Sequence, residues 1–300
     1  MNRAAFEHWA GEQLARVEAK LDELVRADTP AGLGEAMRYG VLDGGKRLRP
    51  LLVLAAAQAV GGDGDMALRA ACAVELIHAY SLIHDDLPCM DNDVLRRGKP
   101  TVHVQYGEAR AMLAGDAMQA LAFEVLTPEG TPPDDCSALA LQARLCSLLA
   151  RASGTFGMAG GQAIDLASVG QQLDETALQD MHGRKTGALL QASVLMGAAC
   201  GSTGATAWQA LADYGAAIGL AFQVVDDILD VTQASDVLGK TAGKDADHNK
   251  PTYVSLLGLD GARQRADVLH GRARSALAAS GVGDQRWLAC LADRVVDRES

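Results

Sequence analysis

Residues 66–91 read MALRAACAVELIHAYSLIHDDLPCMD. From Met66 to about Asp86 this stretch is apolar on nearly every side, and a helix that is apolar all round belongs inside a fold. Pro88 ends or kinks it, because proline has no backbone N–H and pushes Leu87 before it out of the helical region. The buried helix therefore runs straight into carboxylates: Asp85, Asp86 and Asp91, followed by Asn92-Asp93. Asp85 and Asp91 would not share a face on a straight helix. The break at Pro88 predicts that the chain leaves the helix after Asp86 and that Asp91 curls back.

The flanking segments have the same helical character. Leu14, Val17, Leu21 and Leu24 recur at helical spacing in a segment that stops near Thr29-Pro30. Arg49-Pro50 opens an apolar run from Leu51 to Val60, and Gly61-Gly62 closes it, which is normal helix punctuation. Val104 to Leu126 reads as one helix, and Thr127 to Asp135, with its prolines, as a loop. Helical patterns resume through Arg151, then from Leu173 to His182, Gly187 to Ala199 and Ala205 to Val231. The polar, glycine-containing stretch from Thr232 to Lys250 reads as a loop. No run alternates apolar and polar residues convincingly, β-branched residues are sparse, and no composition break marks a linker. The expectation is an all-α protein, a single domain over residues 1–300 built as a bundle of about ten or more helices.

Composition agrees. Hydrophobic residues make up 49% of the 300, enough for a large core, and aromatics only 4%. Abundant small and straight-chain residues favour closely packed helices. The net charge of −11 argues against binding nucleic acid or anionic membranes. The six cysteines form no C-x-x-C pair or zinc spacing, and most lie in apolar helical stretches, which fits a reducing cytoplasm. The N-terminus lacks the apolar core of a signal peptide, and polar groups interrupt the apolar runs, so no stable membrane insertion is expected.

A second acidic group, Asp226-Asp227-Ile228-Leu229-Asp230, ends another apolar helix. Asp226 and Asp230 project from one face. Two carboxylates 4 Å apart repel by about 4 kcal/mol at an effective dielectric of about 20. A hard divalent cation offsets this, and magnesium characteristically takes one or two carboxylates plus phosphate oxygens. A solvated acidic helix end explains either motif alone. Two of them, each ending a nearly all-apolar helix, favour metal binding.

The positive charge is clustered. Gly44-Gly45-Lys46-Arg47-Leu48-Arg49-Pro50 sets three cations at a helix start, where phosphate binds readily. Arg96-Arg97-Gly98-Lys99 follows the first acidic group directly. Arg184-Lys185-Thr186-Gly187, Lys240, Lys244 and Lys250 are further candidates. Cations beside metal-binding carboxylates are what a polyphosphate site needs. His78 stands two turns before Asp85 on nearly the same face; His84 lies on another face and is given no role.

Taken together, Gly44–Pro50, Ser81–Asp91, Leu95–Thr101, Gly160–Asp165, Lys185–Gly187, Phe222–Asp230 and Lys250–Tyr253 resemble the polyprenyl synthases (trans-isoprenyl diphosphate synthases), and most of all the bacterial farnesyl diphosphate synthase group. Order and spacing match from about Gly40 to Leu257. The resemblance implies helices around a central substrate cavity, usually in a homodimer, and three magnesium ions. It implies that Lys46, Arg49, His78 and Arg97 hold the diphosphate of isopentenyl diphosphate, and that Arg96, Lys185, Lys240 and Lys250 hold the allylic diphosphate. Asp85 and Asp91 would bind magnesium from one side and Asp226 from the other, with Asp86 and Asp230 supporting or sharing ligation. Thr186 and Gln223 would line the reacting carbons; with Lys185 and Lys240 they form the expected catalytic set. The implied chemistry is ionisation of the allylic C–O bond, attack by the isopentenyl double bond, and proton loss. Val254 departs from the family pattern, where proline is common, and the tail Asp297-Arg298-Glu299-Ser300 is less basic than in many relatives.

Product length in this family depends on bulk ahead of the first aspartate motif, here Tyr80 and Ser81. Tyr80 resembles the farnesyl synthases, whereas small Ser81 and the string Asp85–Pro100 also fit geranylgeranyl synthases. Helix geometry puts Tyr80 about 140° from Asp85, so its role as a floor rests on the resemblance. Farnesyl diphosphate is the expected product and geranylgeranyl diphosphate the alternative. Three rivals stay open. A terpene cyclase normally mixes Asn, Ser and Glu in its second metal motif. A non-catalytic subunit of a heteromeric synthase usually loses aspartates. A helical scaffold would not gain magnesium-dependent stability from a bisphosphonate.

Overall fold

The computed structural model describes residues 3–42, 44–232 and 251–297. Helix α1 (Arg3–Leu24) ends before Pro30, which opens a short 3-10 turn (Pro30–Gly32) into α2 (Leu33–Val41). Helix α3 (Leu48–Ala59) carries Pro50 in its first turn, where a missing N–H costs nothing. Helix α4 (Gly64–Asp85) is capped by Asp63, whose carboxylate accepts from the backbone N–H groups of Asp65 and Met66. It ends where the sequence predicted, at the first acidic group.

Between α4 and residue 126 the structure departs from the sequence reading twice. A two-residue antiparallel hairpin, β1 (Leu95–Arg96) with β2 (Lys99–Pro100), pairs Arg96 with Lys99; strands this short carry no alternation to read. The helix expected from Val104 to Leu126 is two, α5 (Val102–Tyr106) and α6 (Glu108–Leu126). Gly107 divides them at φ 85°, ψ 153°, a conformation that side chains disfavour and glycine adopts freely.

Helix α7 (Cys136–Ser153) follows the proline loop. Helix α8 (Met158–Ala167) was not anticipated, because Gly157, Gly160 and Gly161 dilute its pattern. Helix α9 (Glu175–His182) passes through one π turn, Gly183–Gly187, into α10 (Ala188–Ala199). Then come α11 (Ala205–Thr232), α12 (Tyr253–Ser280, interrupted at Gly258) and α13 (Arg286–Val296). The loop predicted for Thr232–Lys250 lies, from residue 233 on, outside the described residues, as do Lys240, Lys244 and Lys250.

Helices α3 and α10 form a shared wall that divides the core. Val53, Leu54, Leu189 and Met196 face one apolar cluster with Leu76 and Ile77 of α4. Leu51, Leu52, Leu190 and Val194 face the other, with Tyr214 and Ile218 of α11. Burying one such Leu or Ile side chain stabilises the fold by roughly 1.5–3 kcal/mol before entropy. The stacking of Trp9 on Trp287, 5.0 Å between ring centres, joins α1 to α13. Among the described residues α4 alone is long and apolar enough to cross a bilayer, and 67% of that apolar window is buried within the fold.

Candidate active site

The turn after α4 brings Asp91 back as predicted: its N–H donates to the Asp85 carbonyl at 2.9 Å. Met90 and Asn92 both donate to the Leu87 carbonyl, and Asp93 donates to that of Asp86. Asn92 takes the left-handed φ of 51° that asparagine tolerates. Thr101, only 2% exposed, holds the far end of the turn, its hydroxyl donating to the Asp93 carbonyl at 2.7 Å.

The three carboxylates are not equivalent. Asp86 is buried and accepts from Arg96 through Nε (3.0 and 2.9 Å) and Nη2 (2.6 Å), a strong, geometrically specific arrangement. Burial still raises the Asp86 pKa above the usual carboxylate value, against the pull of Arg96. Asp85 has no such partner in the turn. Burial pushes its carboxyl up to about 6; Asp91 and Asp86 push the same way, while Lys185 and Arg96 pull it back. Lys185 thus lies within the field of the first acidic group.

The π turn that carries Lys185 and Thr186 is pressed against α8. A Cβ on Gly161 would fall 2.1 Å from the Lys185 backbone nitrogen, so only glycine fits there. One turn on, Asp165 meets Lys185 Nζ at 2.5 Å. Wide π turns recur at functional sites, and this one offers Lys185 and Thr186 from adjacent positions. Thr186 Oγ1 donates to Gln223 Oε1 at 3.0 Å, and Gln223 Nε2 donates to Asp227 Oδ1 at 2.9 Å. Asp227 Oδ2 accepts the Tyr253 backbone N–H at 2.8 Å. Asp165, His182, Lys185, Gln223, Asp227, Pro251 and Thr252 line a small, partly open pocket. Asp226 is half-buried and Asp230 buried on the same helix.

The basic residues divide by environment. Arg47 turns inward at φ 43° and is held by Glu75 (2.6 Å) and Glu18 (2.7 Å), so it serves the core. Lys46 is exposed and Arg49 is buried in the first turn of α3. Arg97 reaches back to donate to the Gly44 carbonyl, joining the hairpin to the loop before α3. His78 is half-buried, and its pKa is held well below the usual value by burial and by Arg49, Arg97, Arg96 and Arg47. Of the set predicted for isopentenyl diphosphate, Arg49 and Arg97 thus both act on His78. Tyr80 meets His84 edge-on at 5.7 Å, and Ser81 donates to its own helix at the His78 carbonyl.

Sequence reading missed three contributors. Asp165 pairs with Lys185 from twenty residues away, a separation that no local period encodes. Asp227 was passed over between Asp226 and Asp230. His182 stacks on Tyr253 at 5.5 Å, with Nε2 3.9 Å from Asp227. Burial lowers the His182 pKa to about 4. The unfolded chain therefore binds a proton near pH 6.5 that the folded chain refuses, so stability is intact above pH 6.5 and falls toward pH 4 by on the order of 2–3 kcal/mol. His182→Gln is expected to flatten that slope in urea unfolding measured across pH; an unchanged slope would rule out His182 as its source.

A family model for polyprenyl synthetase matches residues 30–279. The chain is 46% identical over 287 residues to the heterodimeric geranylgeranyl pyrophosphate synthase large subunit 1 of Arabidopsis thaliana, covering 95% of this chain and 77% of that one. It is 45% identical over 269 residues to the farnesyl diphosphate synthase of Geobacillus stearothermophilus, covering 88% and 89%. Its fold is similar to that of a Helicobacter pylori geranyltransferase complexed with magnesium and isoprenyl diphosphate, with a TM-score of 0.82 and 33% identity over 97% of this chain and 96% of that one. The helical architecture, two acidic helix ends about one lysine-bearing turn, and these likenesses converge: the chain belongs to the polyprenyl synthetase family, whose members are prenyltransferases of isoprenoid biosynthesis.

Proposed function

We propose that this chain joins isopentenyl diphosphate to dimethylallyl and then geranyl diphosphate, releasing diphosphate each time and yielding chiefly farnesyl diphosphate. The observation that carries this reading is the position of Lys185, whose charge acts on Asp85 while its ammonium is held by Asp165 beside the cavity of Gln223 and Asp227. Residues 1–300 are taken as one catalytic domain.

The acidic groups fit magnesium. Asp85 is half-buried beside Asp86 and Asp91, which push its pKa up, and makes no ion pair among the described residues. Magnesium takes one or two carboxylates and leaves its other positions to phosphate and water. Asp85 and Asp91 would hold it on one side, Asp226 and Asp230 on the other, with three ions in all. Magnesium, when bound, supplies charge that stabilises the departing diphosphate.

The chain's own residues do the rest. Lys46, Arg49, His78 and Arg97 grip the isopentenyl diphosphate; neutral His78 supplies a donor without adding charge to the arginines around it. Arg96 and Lys185, with Lys240 and Lys250, grip the allylic diphosphate. Asp86 holds Arg96 in place and is a poorer ligand for that reason. The allylic C–O bond breaks with its electron pair going to diphosphate. The isopentenyl double bond forms the new C–C bond, and the adjacent carbon loses a proton to the released diphosphate. The apolar side chains of α3, α4 and α10 would keep out the water that quenches the cation.

A geranylgeranyl product is the second reading, favoured by small Ser81 and by the name of the plant relative. All six cysteines are free thiols, in keeping with a reducing compartment such as the cytoplasm. Exposed Val104, Met112 and Leu113 on α5–α6 and Leu139 on α7 offer an apolar face for a homodimer. Leu113→Glu is expected to halve the mass seen by light scattering; an unchanged mass would place the contact elsewhere. The main test incubates the protein with isopentenyl diphosphate, each allylic starter and magnesium, with an EDTA control, and identifies the dephosphorylated alcohols. Farnesol that disappears with EDTA is expected. Folded protein that elongates no starter would refute the assignment.

A further inference from the structure

Asp227 is 2% exposed, and burying a carboxylate costs several kcal/mol unless its bonds repay it. Its neighbours Asp226 and Asp230 supply the expected metal face, so a third acid needs its own reason. Asp227 accepts from the Gln223 amide on its own helix α11 and from the Tyr253 backbone at the start of α12, so it ties the two helices together. The Gln223 amide in turn bonds Thr186 in the π turn.

The chemistry of these groups fixes the direction of the chain. A carboxylate only accepts, so the Gln223 NH₂ must face Asp227. The Gln223 oxygen must then face Thr186, and at 3.0 Å the Thr186 hydroxyl must donate to it. With its proton committed, Thr186 has only oxygen lone pairs left to present elsewhere. Were residue 227 able to donate, the amide could turn over. Thr186 would then accept from Gln223, and its hydroxyl proton would be released toward the cavity.

We propose that Asp227 is a positioning residue that polarises the Asp227–Gln223–Thr186 chain, so that Thr186 turns its oxygen rather than its proton toward the carbon skeleton of the allylic substrate. The inference rests on the prenyl-elongation reading, in which positive charge develops on that skeleton. An oxygen aimed at developing positive charge stabilises it and a proton destabilises it, and in a dry site the difference is large. The effect belongs to the chemical step, not to diphosphate binding.

The test is a double-mutant cycle on the full chain, with kcat measured across a magnesium titration carried to saturation. Asp227→Asn keeps the shape and one accepting oxygen, which can stay with the Tyr253 N–H, and puts an NH₂ donor in place of the oxygen that faces Gln223. It is expected to lower kcat about 10–100-fold with KM for both diphosphates within about threefold, the pattern of an interaction made only in the transition state. In a Thr186→Val background the same change is expected to lower kcat less than about threefold, because the group it acts through is gone. If Asp227→Asn fails to fold, the Gln223→Met and Thr186→Val cycle reads the same chain and is expected to be equally non-additive. Additive losses, or a loss appearing only as a raised magnesium requirement, would overturn the proposal and leave prenyl elongation standing. Wild-type protein that elongates nothing overturns both.

Discussion

Asp85→Asn is expected to lower kcat for prenyl elongation by about 10²–10³-fold and, unusually for an active-site change, to raise the melting temperature of the metal-free protein. The catalytic loss follows from removing one anchor for the charge that meets the leaving diphosphate. The gain in stability follows from the Asp85 pKa, which burial raises from 3.8 to about 6. A carboxyl with a folded pKa above its unfolded one favours the folded state in its protonated form. That contribution is complete below about pH 4 and is lost as pH rises through 6. At pH 7 the ionised group therefore costs on the order of 2 kcal/mol, allowing for partial exposure. Asparagine removes the cost, so the metal-free variant should melt about 2–6 °C higher by scanning calorimetry at pH 7 and show no difference at pH 4. Magnesium with a bisphosphonate should then stabilise the wild type more than the variant. A variant that melts lower at pH 7 would mean that the Asp85 carboxylate is repaid within the chain and is not poised for a cation.

The same residue shows how far a sequence carries. The helix from Met66 to Asp86 was legible because it is apolar all round, and Pro88 located its end. That single break also predicted the return of Asp91, since a six-residue separation leaves few other ways to bring two acids together. The division of α5 from α6 was not legible, because Gly107 interrupts the backbone without disturbing the apolar spacing on either side. Helix α8 was hidden by its glycines, and the reason for one of them, the approach of Gly161 to the Lys185 backbone, exists only in three dimensions. The three clustered cations Lys46, Arg47 and Arg49 are alike as a string. Glu18 and Glu75, 29 and 28 residues from Arg47 along the chain, decide that it turns inward. Residue types revealed which chemistry the site handles, while pairing across the fold decides which copy of each residue performs it. Asp86 and Asp227 make the point from the acidic side: both sit inside the two acidic motifs, yet each is engaged with a protein donor, Arg96 in one case and Gln223 in the other.

Tyr80→Ala is expected to move the main product from the fifteen-carbon to the twenty-carbon diphosphate, inverting the ratio of farnesol to geranylgeraniol after dephosphorylation. Tyr80 is half-buried on α4, the helix that ends in Asp85. Its ring is braced edge-on by His84. His84 is itself fixed against α6, its Nε2 3.0 Å from the Met112 carbonyl and packed over Gly115, where a Cβ would fall 2.1 Å from that nitrogen. A ring held from behind resists a lengthening apolar chain, because a close-packed wall yields little. Alanine removes a group bulkier than one isoprene unit, and the following small residue, Ser81, does not refill the space, since its hydroxyl is bonded back to the His78 carbonyl. The gain for the longer chain is burial of one more five-carbon unit in a dry cavity. Discrimination by fit in an apolar pocket is worth about 1–3 kcal/mol per methylene-sized difference, so a full unit is ample to invert the ratio. The rate of the first condensation should change little, because Tyr80 lies about 140° around the helix from Asp85. Gly115→Ala, by displacing His84, should relax the same wall and give a smaller shift in the same direction. An unchanged product ratio in both variants would mean that chain length is limited elsewhere and that Tyr80 is ordinary packing.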